Sequence, residues 1–364
     1  MTNMILGITI AAAALLVAPI KPCSLIVCPG SAEQPRNGEA DMIQLKNGDL
    51  MLAYGKWSSG QSDFDTAEVW RKTSKDGGKT WGDDRVLIAN EGKLTTFSVS
   101  LLRLANGEIL MAYLTKDSKE NCNIWFRKSN DECRTWSRRI KFKMPDGYTG
   151  YTGMNNARLI QLSDGRILGA GWEGGVKGHP IIAFCAYSDD NGATWHKGAD
   201  VDIRTIDPGN THGAQEPALI ELKDGRVLML IRNSLGCVGR AISSDKGVTW
   251  TKPELIKELQ APLSPASIIR LKQTGDLLLI WNNNAKGRNP LNSAISRDDG
   301  ETWENIRTVD VNDGPAWPGL AYTSITPVDN KILLTYWYYE PAGISLKLQS
   351  MDYRWFYEGM KAQP

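Results

Sequence analysis

An apolar strand, a tight turn and a second apolar strand recur six times along this chain, and few folds can use such a pattern. The copies are IQLKNGDLMLAY at 43–54, LRLANGEILMAY at 102–113, IQLSDGRILGAG at 160–171, IELKDGRVLMLI at 220–231, IRLKQTGDLLLIW at 269–281 and ITPVDNKILLTYW at 325–337. Asn-Gly or Asp-Gly between alternating apolar residues signals a β-hairpin, because the turn needs the positive φ that glycine adopts freely. A second pattern, Ser-x-Asp-x-Gly-x-Thr-Trp, follows five of the six: Ser74–Trp81, Ser129–Trp136, Ser188–Trp195, Ser243–Trp250 and Ser296–Trp303, with Cys133 once in the glycine place. Its aspartates, Asp76, Asp131, Asp190, Asp245 and Asp298, lie 53–59 residues apart. A period that long, carrying two hairpins, describes a four-stranded antiparallel blade. Six first hairpins then describe an all-β, six-bladed β-propeller. The sixth unit lacks the Asp box, and the residues after it are expected to close the ring. The box aspartates read as turn caps that accept backbone N–H groups, not as catalytic acids.

Charge is balanced, with 42 Lys+Arg against 41 Asp+Glu and a net of +1, so no basic field exists to hold nucleic acid or an anionic membrane. Residues 1–32 are expected to be a signal peptide and leader, and 33–364 the propeller. The apolar run from Met4 to Pro19 is too short to span a bilayer comfortably, which implies no membrane span in the mature chain and a secreted or periplasmic location. An apolar N-terminal strand or tail is the other reading. Six cysteines, at 23, 28, 122, 133, 185 and 237, form no zinc-like pair. They permit disulfides in an exported chain without specifying any.

Propellers bind ligands on the axis, where one end of each blade's inner strands converges. Counting eight residues back from each hairpin turn reaches Glu39, Ser98, Asn156, Glu216 and Ala266, with Tyr322 in the sixth unit. Counting seven forward reaches Gly55, Leu114, Trp172, Arg232, Asn282 and Trp337. A hairpin centred on Asp224-Gly225 sets Glu216 and Arg232 opposite one another within about one residue, a carboxylate and guanidinium meeting at the mouth.

With these residues the chain, over about 33–360, resembles the sialidase (neuraminidase) superfamily, and within it the bacterial exo-sialidase-like Asp-box (BNR) propellers. The resemblance implies a retaining exo-glycosidase releasing terminal sialic acid or a related acidic sugar. Three arginines would hold the sugar carboxylate, a Tyr backed by a Glu would attack, and an Asp would act as acid and base. Glu216 through Arg232 matches the family's Glu-to-second-Arg segment at its 16-residue spacing. Arg288, eight residues before its Asp box, matches the third Arg, and Tyr322 the nucleophile. Asp63, in the loop before the first Asp box, is the expected acid/base on this resemblance, with Asp65 in reserve. One element departs. The column of the family's first Arg holds Gly38, Arg36 lies two residues early, and the Glu that would support that Arg falls near Trp337. Arg36 is therefore the residue expected to complete the clamp in place of the first Arg, and the substrate is open to differ from ordinary sialosides.

A neutral Tyr suits a substrate whose own carboxylate would repel a carboxylate nucleophile. The implied scheme needs no metal or cofactor, and the three His are 179, 196 and 212. Trp172, Glu173, Asn155, Asn156 and Asn282 are candidates to read the glycerol or N-acyl groups, and His212 to line the cleft. The implied partners are sialylated or other acidic glycans. Two alternatives stay open: a glycan-binding propeller that catalyses nothing, and a propeller glycosidase or lyase acting on uronic-acid glycans.

Overall fold

A computed structural model describes residues 21–145, 147–176, 179–314 and 318–360; the apolar run from Met4 to Pro19 lies outside them. Regular structure among the described residues is all strand apart from two short 3-10 helices, Ile203–Thr205 and Tyr353–Tyr357. No described helix is long and apolar enough to cross a membrane. Each repeat unit is a four-stranded antiparallel blade, as in Gln215–Glu221, Val227–Arg232, Cys237–Ser243 and Glu254–Gln260. The chain is an all-β propeller.

The strands group into five hydrogen-bonded sheets rather than six separate ones. Four are single units; the third has its first strand split into Thr152–Gly153 and Leu159–Gln161. The largest sheet contains eight strands. Leu320–Val328, Lys331–Glu340 and Gly343–Asp352 run into Arg36–Gln44, Leu50–Trp57, Ala67–Ser74 and Gly82–Ile88 through one parallel pairing, Arg36 with Ile344. Ring closure follows the expectation in that Gly343–Asp352, after the sixth hairpin, holds this parallel pairing, and departs from it in one strand. Cys23–Cys28, inside the segment expected to be leader, pairs antiparallel with Gly343–Asp352, whereas the residues after that strand form the helix Tyr353–Tyr357. The N-terminal strand thus supplies the edge partner that the last unit lacks.

The second strand of each unit is apolar on both faces because a sheet covers each side. In Ile109–Ser118, Ile109, Met111 and Tyr113 pack with Met51, Ala53 and Val69 of the preceding unit. Leu110, Ala112 and Leu114 pack with Ile167 and Phe184 of the next. Period-two alternation therefore sends neighbouring residues into different inter-sheet cores. The first strands touch in succession, from Arg36–Gln44 through Thr95–Arg103, Leu159–Gln161, Gln215–Glu221 and Ser267–Arg270 to Leu320–Val328 and back to Arg36–Gln44.

The Asp boxes are structural. Asp190 Oδ1 accepts from Ser188 Oγ at 2.8 Å and from the Ala193 and Thr194 amides at 3.0 and 2.8 Å, while Oδ2 accepts from Thr194 Oγ1 at 2.6 Å. Trp195 then stacks on Phe126 of the preceding sheet, with centroids 3.9 Å apart and planes at 6°. Slight desolvation opposes ionisation of Asp190, but the donors together outweigh it and hold the carboxyl down at about 2. A carboxyl depressed on folding stabilises the fold above its unfolded value and loses that contribution as pH falls through the folded one. Asp190→Ala is expected to lower the melting temperature by a few degrees at pH 7. The gap to wild type should close as pH drops from about 4 towards about 2. A gap constant down to pH 2 would contradict the capping role.

Candidate active site

One end of the axis is built from bulges. Pairing between first and second strands slips between Gly38 and Asp41, Phe97 and Ser100, Gln215 and Ala218, and Ala321 and Ser324. At the slips Glu39, Ser98, Glu216 and Tyr322 adopt φ of 49°, 60°, 39° and 56°. A left-handed non-glycine residue costs on the order of 1 kcal/mol. A bulge also re-aims a side chain that regular pleating would send into a core. Register pairs Gln215 with Arg232, one residue from the expected Glu216, because Glu216 is itself the bulged residue.

Three of the expected residues meet directly. Tyr322 Oη donates to Glu216 Oε1 at 3.1 Å, Arg232 Nη1 donates to Tyr322 Oη at 3.2 Å, and Arg232 Nη1 also ion-pairs with Glu216 Oε2. Asn155 Nδ2 donates to Glu216 Oε1 at 3.1 Å, and Trp172 Nε1 orients that amide through Asn155 Oδ1 at 3.2 Å. Burial raises the Tyr322 phenol well above its usual value; Glu216 adds to this, while Arg232 and Arg288 pull it back. The phenol is neutral at rest, with its proton directed at a carboxylate. Arg288 completes this side, its guanidinium 5.3 Å from the Tyr322 ring and its Nη2 donating to the Leu263 carbonyl at 3.0 Å.

The departure at the first Arg has a physical counterpart. Trp337 packs on Gly38 so closely that a Cβ there would lie 2.0 Å from Nε1. Arg36 lies between Trp57 and Trp337, 3.9 and 4.4 Å from the ring centroids, and is 2% exposed. Its Nη2 donates to Glu39 Oε1 at 2.5 Å and its Nη1 to Asp63 Oδ1 at 2.6 Å. Burial works against the Arg36 charge, but Asp63 and Glu39 outweigh it and hold the guanidinium above its usual value. Trp337 also packs on Tyr322, with centroids 4.3 Å apart, so the Arg36 support and the phenol share one indole.

Asp63 lies at the rim of this cavity, 53% exposed. Desolvation at the rim works against ionisation of its carboxyl, yet Arg36 first and Lys116 next bring it down to about 2, so it is ionised at rest. Asp65 is turned to its own loop, where Oδ2 accepts from the Ser62 amide at 2.8 Å. The central cavity, about 150 Å³, is lined by Glu39, Asp63, Glu216, Arg232 and Tyr322 together with Phe97, Lys116, Tyr151 and Trp172.

Other expectations fare differently. The Asn156 amide donates to the Ala40 and Tyr322 carbonyls at 2.9 and 3.1 Å, and the Asn282 amide to the Pro290 and Leu320 carbonyls at 3.0 Å, so both brace backbone. Glu173 pairs with Lys197 at 3.2 Å, and His212 is exposed outside the cavity lining. Lys116 and Tyr151 were missed as cavity residues, and Glu39, which the hairpin counting reached, was given no role. Lys116 carried a signal, a charge near the end of the apolar run ILMAYLTKDS. Among the described residues no cluster of His, Cys, Asp and Glu could hold a metal ion.

A family profile described as BNR repeat-like domain matches residues 48–332. A sialidase of Micromonospora viridifaciens is 26% identical over 71% of this chain and 43% of its own length. A sialidase of Bacteroides fragilis is 27% identical over 80% and 58%. The chain thus spans about half the length of the curated relatives it matches. In fold it is similar to a protein of unknown function from Dyadobacter fermentans, with TM-score 0.75, 18% identity and coverage of 92% of this chain and 100% of that one. A Streptococcus pneumoniae sialidase gives TM-score 0.72 and 15% identity over 93% and 71%.

The Gly38–Trp337 contact makes a direct prediction. Gly38→Ala should cost about 1–3 kcal/mol in urea unfolding, since the indole is wedged between Arg36 and Tyr322. Adding Trp337→Ala should make the Gly38→Ala step nearly neutral. An unchanged midpoint for the single variant would contradict the packing described.

Proposed function

The chain belongs to the BNR repeat-like domain family, and on that footing we propose that it is a retaining exo-glycosidase releasing terminal sialic acid or a related acidic sugar from glycans. The observation that carries this reading is the contact of Tyr322 with Glu216 and Arg232, because a scaffold blade needs none of the three. On the same reading the eight-stranded sheet counts as two blades, for six in all, since its halves share one parallel pairing. Export through an N-terminal leader belongs to the proposal, with the leader ending ahead of the strand Cys23–Cys28.

In the first step the Tyr322 oxygen attacks the anomeric carbon while the bond to the leaving oxygen breaks. The phenol proton passes to Glu216, and Asp63 gives its proton to the leaving oxygen. In the second step Asp63 takes a proton from water, whose oxygen displaces Tyr322, and Glu216 returns the proton to the phenolate. Two displacements retain configuration. Arg36, Arg232 and Arg288 hold the sugar carboxylate. Asp63 begins ionised against Arg36. A substrate carboxylate that takes over Arg36 removes this counter-charge and adds an anion nearby; both changes raise the proton affinity of Asp63, which takes up from solvent the proton that it gives to the leaving oxygen.

Entry of Arg36 from two residues upstream favours one other substrate class, terminal uronic acids, whose carboxylate projects differently from the ring. Purified protein should release the fluorophore from an aryl α-sialoside. Tyr322→Phe and Glu216→Gln should each lower kcat/KM by on the order of 10³-fold or more while folding normally. Release from aryl uronides alone would transfer the reading to that class. Glycan binding with no turnover of any acidic glycoside would overturn it.

A further inference from the structure

The loop carrying Asp63, residues 58–66, is largely exposed and held together by its own short bonds. Ser58 N donates to the Thr66 carbonyl at 3.0 Å, and Asp65 N to the Ser62 carbonyl at 3.1 Å. Two cations tie it to the body of the propeller. Arg36 Nη1 donates to the Gln61 carbonyl at 3.0 Å and to Asp63 Oδ1 at 2.6 Å. Lys116, from the strand Ile109–Ser118 of the next unit, donates from Nζ to the Asp63 carbonyl at 3.1 Å. The two ties are not equivalent in the proposed cycle. The Arg36 tie is the one that a substrate carboxylate competes for, whereas the Lys116 tie reaches main chain and is untouched by that exchange.

Lys116 is an unusual place for a charge. It is 1% exposed, and its ammonium lies 4.5 Å from the Phe97 ring, 4.8 Å from Phe64 and 5.3 Å from Tyr151. Burying an ammonium costs several kcal/mol unless it is compensated, and here the compensation is a main-chain carbonyl and three aromatic faces, with the Asp63 carboxylate acting through space rather than by direct contact. A methionine of similar length would fill the same space with no such cost. The charge therefore serves something other than packing.

Resting on the glycosidase reading, we infer that Lys116 is a positioning residue that keeps Asp63 over the leaving-group side of the site once the substrate carboxylate has taken Arg36. It acts through the Asp63 main chain, and the Phe64 ring packs over the same ammonium as a second hold on the loop. The part of the reaction that depends on Lys116 is proton delivery to the leaving oxygen. Carboxylate binding and attack by Tyr322 do not depend on it.

Leaving-group dependence tests this, because an aryl oxide departs with little protonation whereas a sugar alkoxide needs it. Lys116→Met should lower kcat on an α-sialyl-galactoside by roughly 10–100-fold while changing kcat on the 4-methylumbelliferyl α-sialoside by less than about threefold. Lys116→Gln, which keeps an N–H donor without the charge, should recover part of the galactoside rate. It also serves as the test variant if Lys116→Met does not melt cooperatively. Equal losses on the two substrates, or no loss on either, would overturn the inference. Amide hydrogen exchange across 58–66 gives a readout without turnover: the variant should exchange faster there than wild type and equally elsewhere. Unchanged exchange in the loop would count against the clamp. A wild type that releases neither sugar would sink the glycosidase reading, leaving the exchange contrast to decide the clamp by itself.

Discussion

A phenol, a carboxylate and a guanidinium share a few ångströms at the mouth of the axis, and the inner strands are shaped to make this possible. Tyr322, Glu216 and Arg232 come from the last unit and from both strands of one hairpin. Tyr322 and Glu216 each require a left-handed bulge to face the axis rather than a core. Buried ion pairs are costly to assemble, and removing one partner of such a pair typically costs 3–5 kcal/mol. The strain and desolvation persist because the neighbouring strands over-determine the geometry. Asn156 spans the axis to the Ala40 and Tyr322 carbonyls. Arg158 reaches Ser267 Oγ at 3.3 Å, and that hydroxyl donates to the Thr323 carbonyl at 2.8 Å, beside Tyr322. Polar groups that look like ligand readers in a sequence are here the frame that holds Tyr322 against Glu216.

The other side of the site keeps the cation while changing where it comes from. With Trp337 seated on Gly38, an Arg at that column has no room, and Arg36 reaches the space from upstream, sandwiched by two indoles. Its charge is matched at rest by Glu39 and Asp63. The carboxylates of Glu39, Asp63 and Glu216 and the cations of Lys116 and Arg232 thus line one cavity, with Arg36 paired to Glu39 and Asp63 from outside that lining. Arg288, beside the Tyr322 ring, is a fourth cation against these three carboxylates, and one cation in excess suits the site to the carboxylate of a ligand.

Much of this was legible in the residues. The Asn-Gly and Asp-Gly turns and the Asp boxes carry their physics locally, so blade type and box role follow from a few neighbouring residues. Glu216, Arg232 and Tyr322 were reachable because hairpin counting locates strand mouths, and a one-residue bulge shifts that count without destroying it. What escaped depends on pairings between distant segments. The strand Cys23–Cys28 resembles a leader until Gly343–Asp352 is there to pair with it. Asn156 and Asn282 have side chains that fit a ligand or a carbonyl equally well, and only the opposing backbone decides between them. Lys116 becomes a site residue only because the Asp63 loop of another unit lies over it.

The central claim is that the Tyr322 oxygen bonds to the sugar. A fluorine beside the anomeric carbon of an acidic sugar destabilises the oxocarbenium-like transition states, and with a good leaving group such a sugar accumulates as the covalent intermediate. The direct measurement is mass spectrometry of peptides from protein treated with a 2,3-difluoro sialic acid. The account predicts one added glycosyl mass on the peptide holding Tyr322, absent from Tyr322→Phe. An adduct on Glu216, Asp63 or any other residue in a protein that turns over sialosides would contradict it.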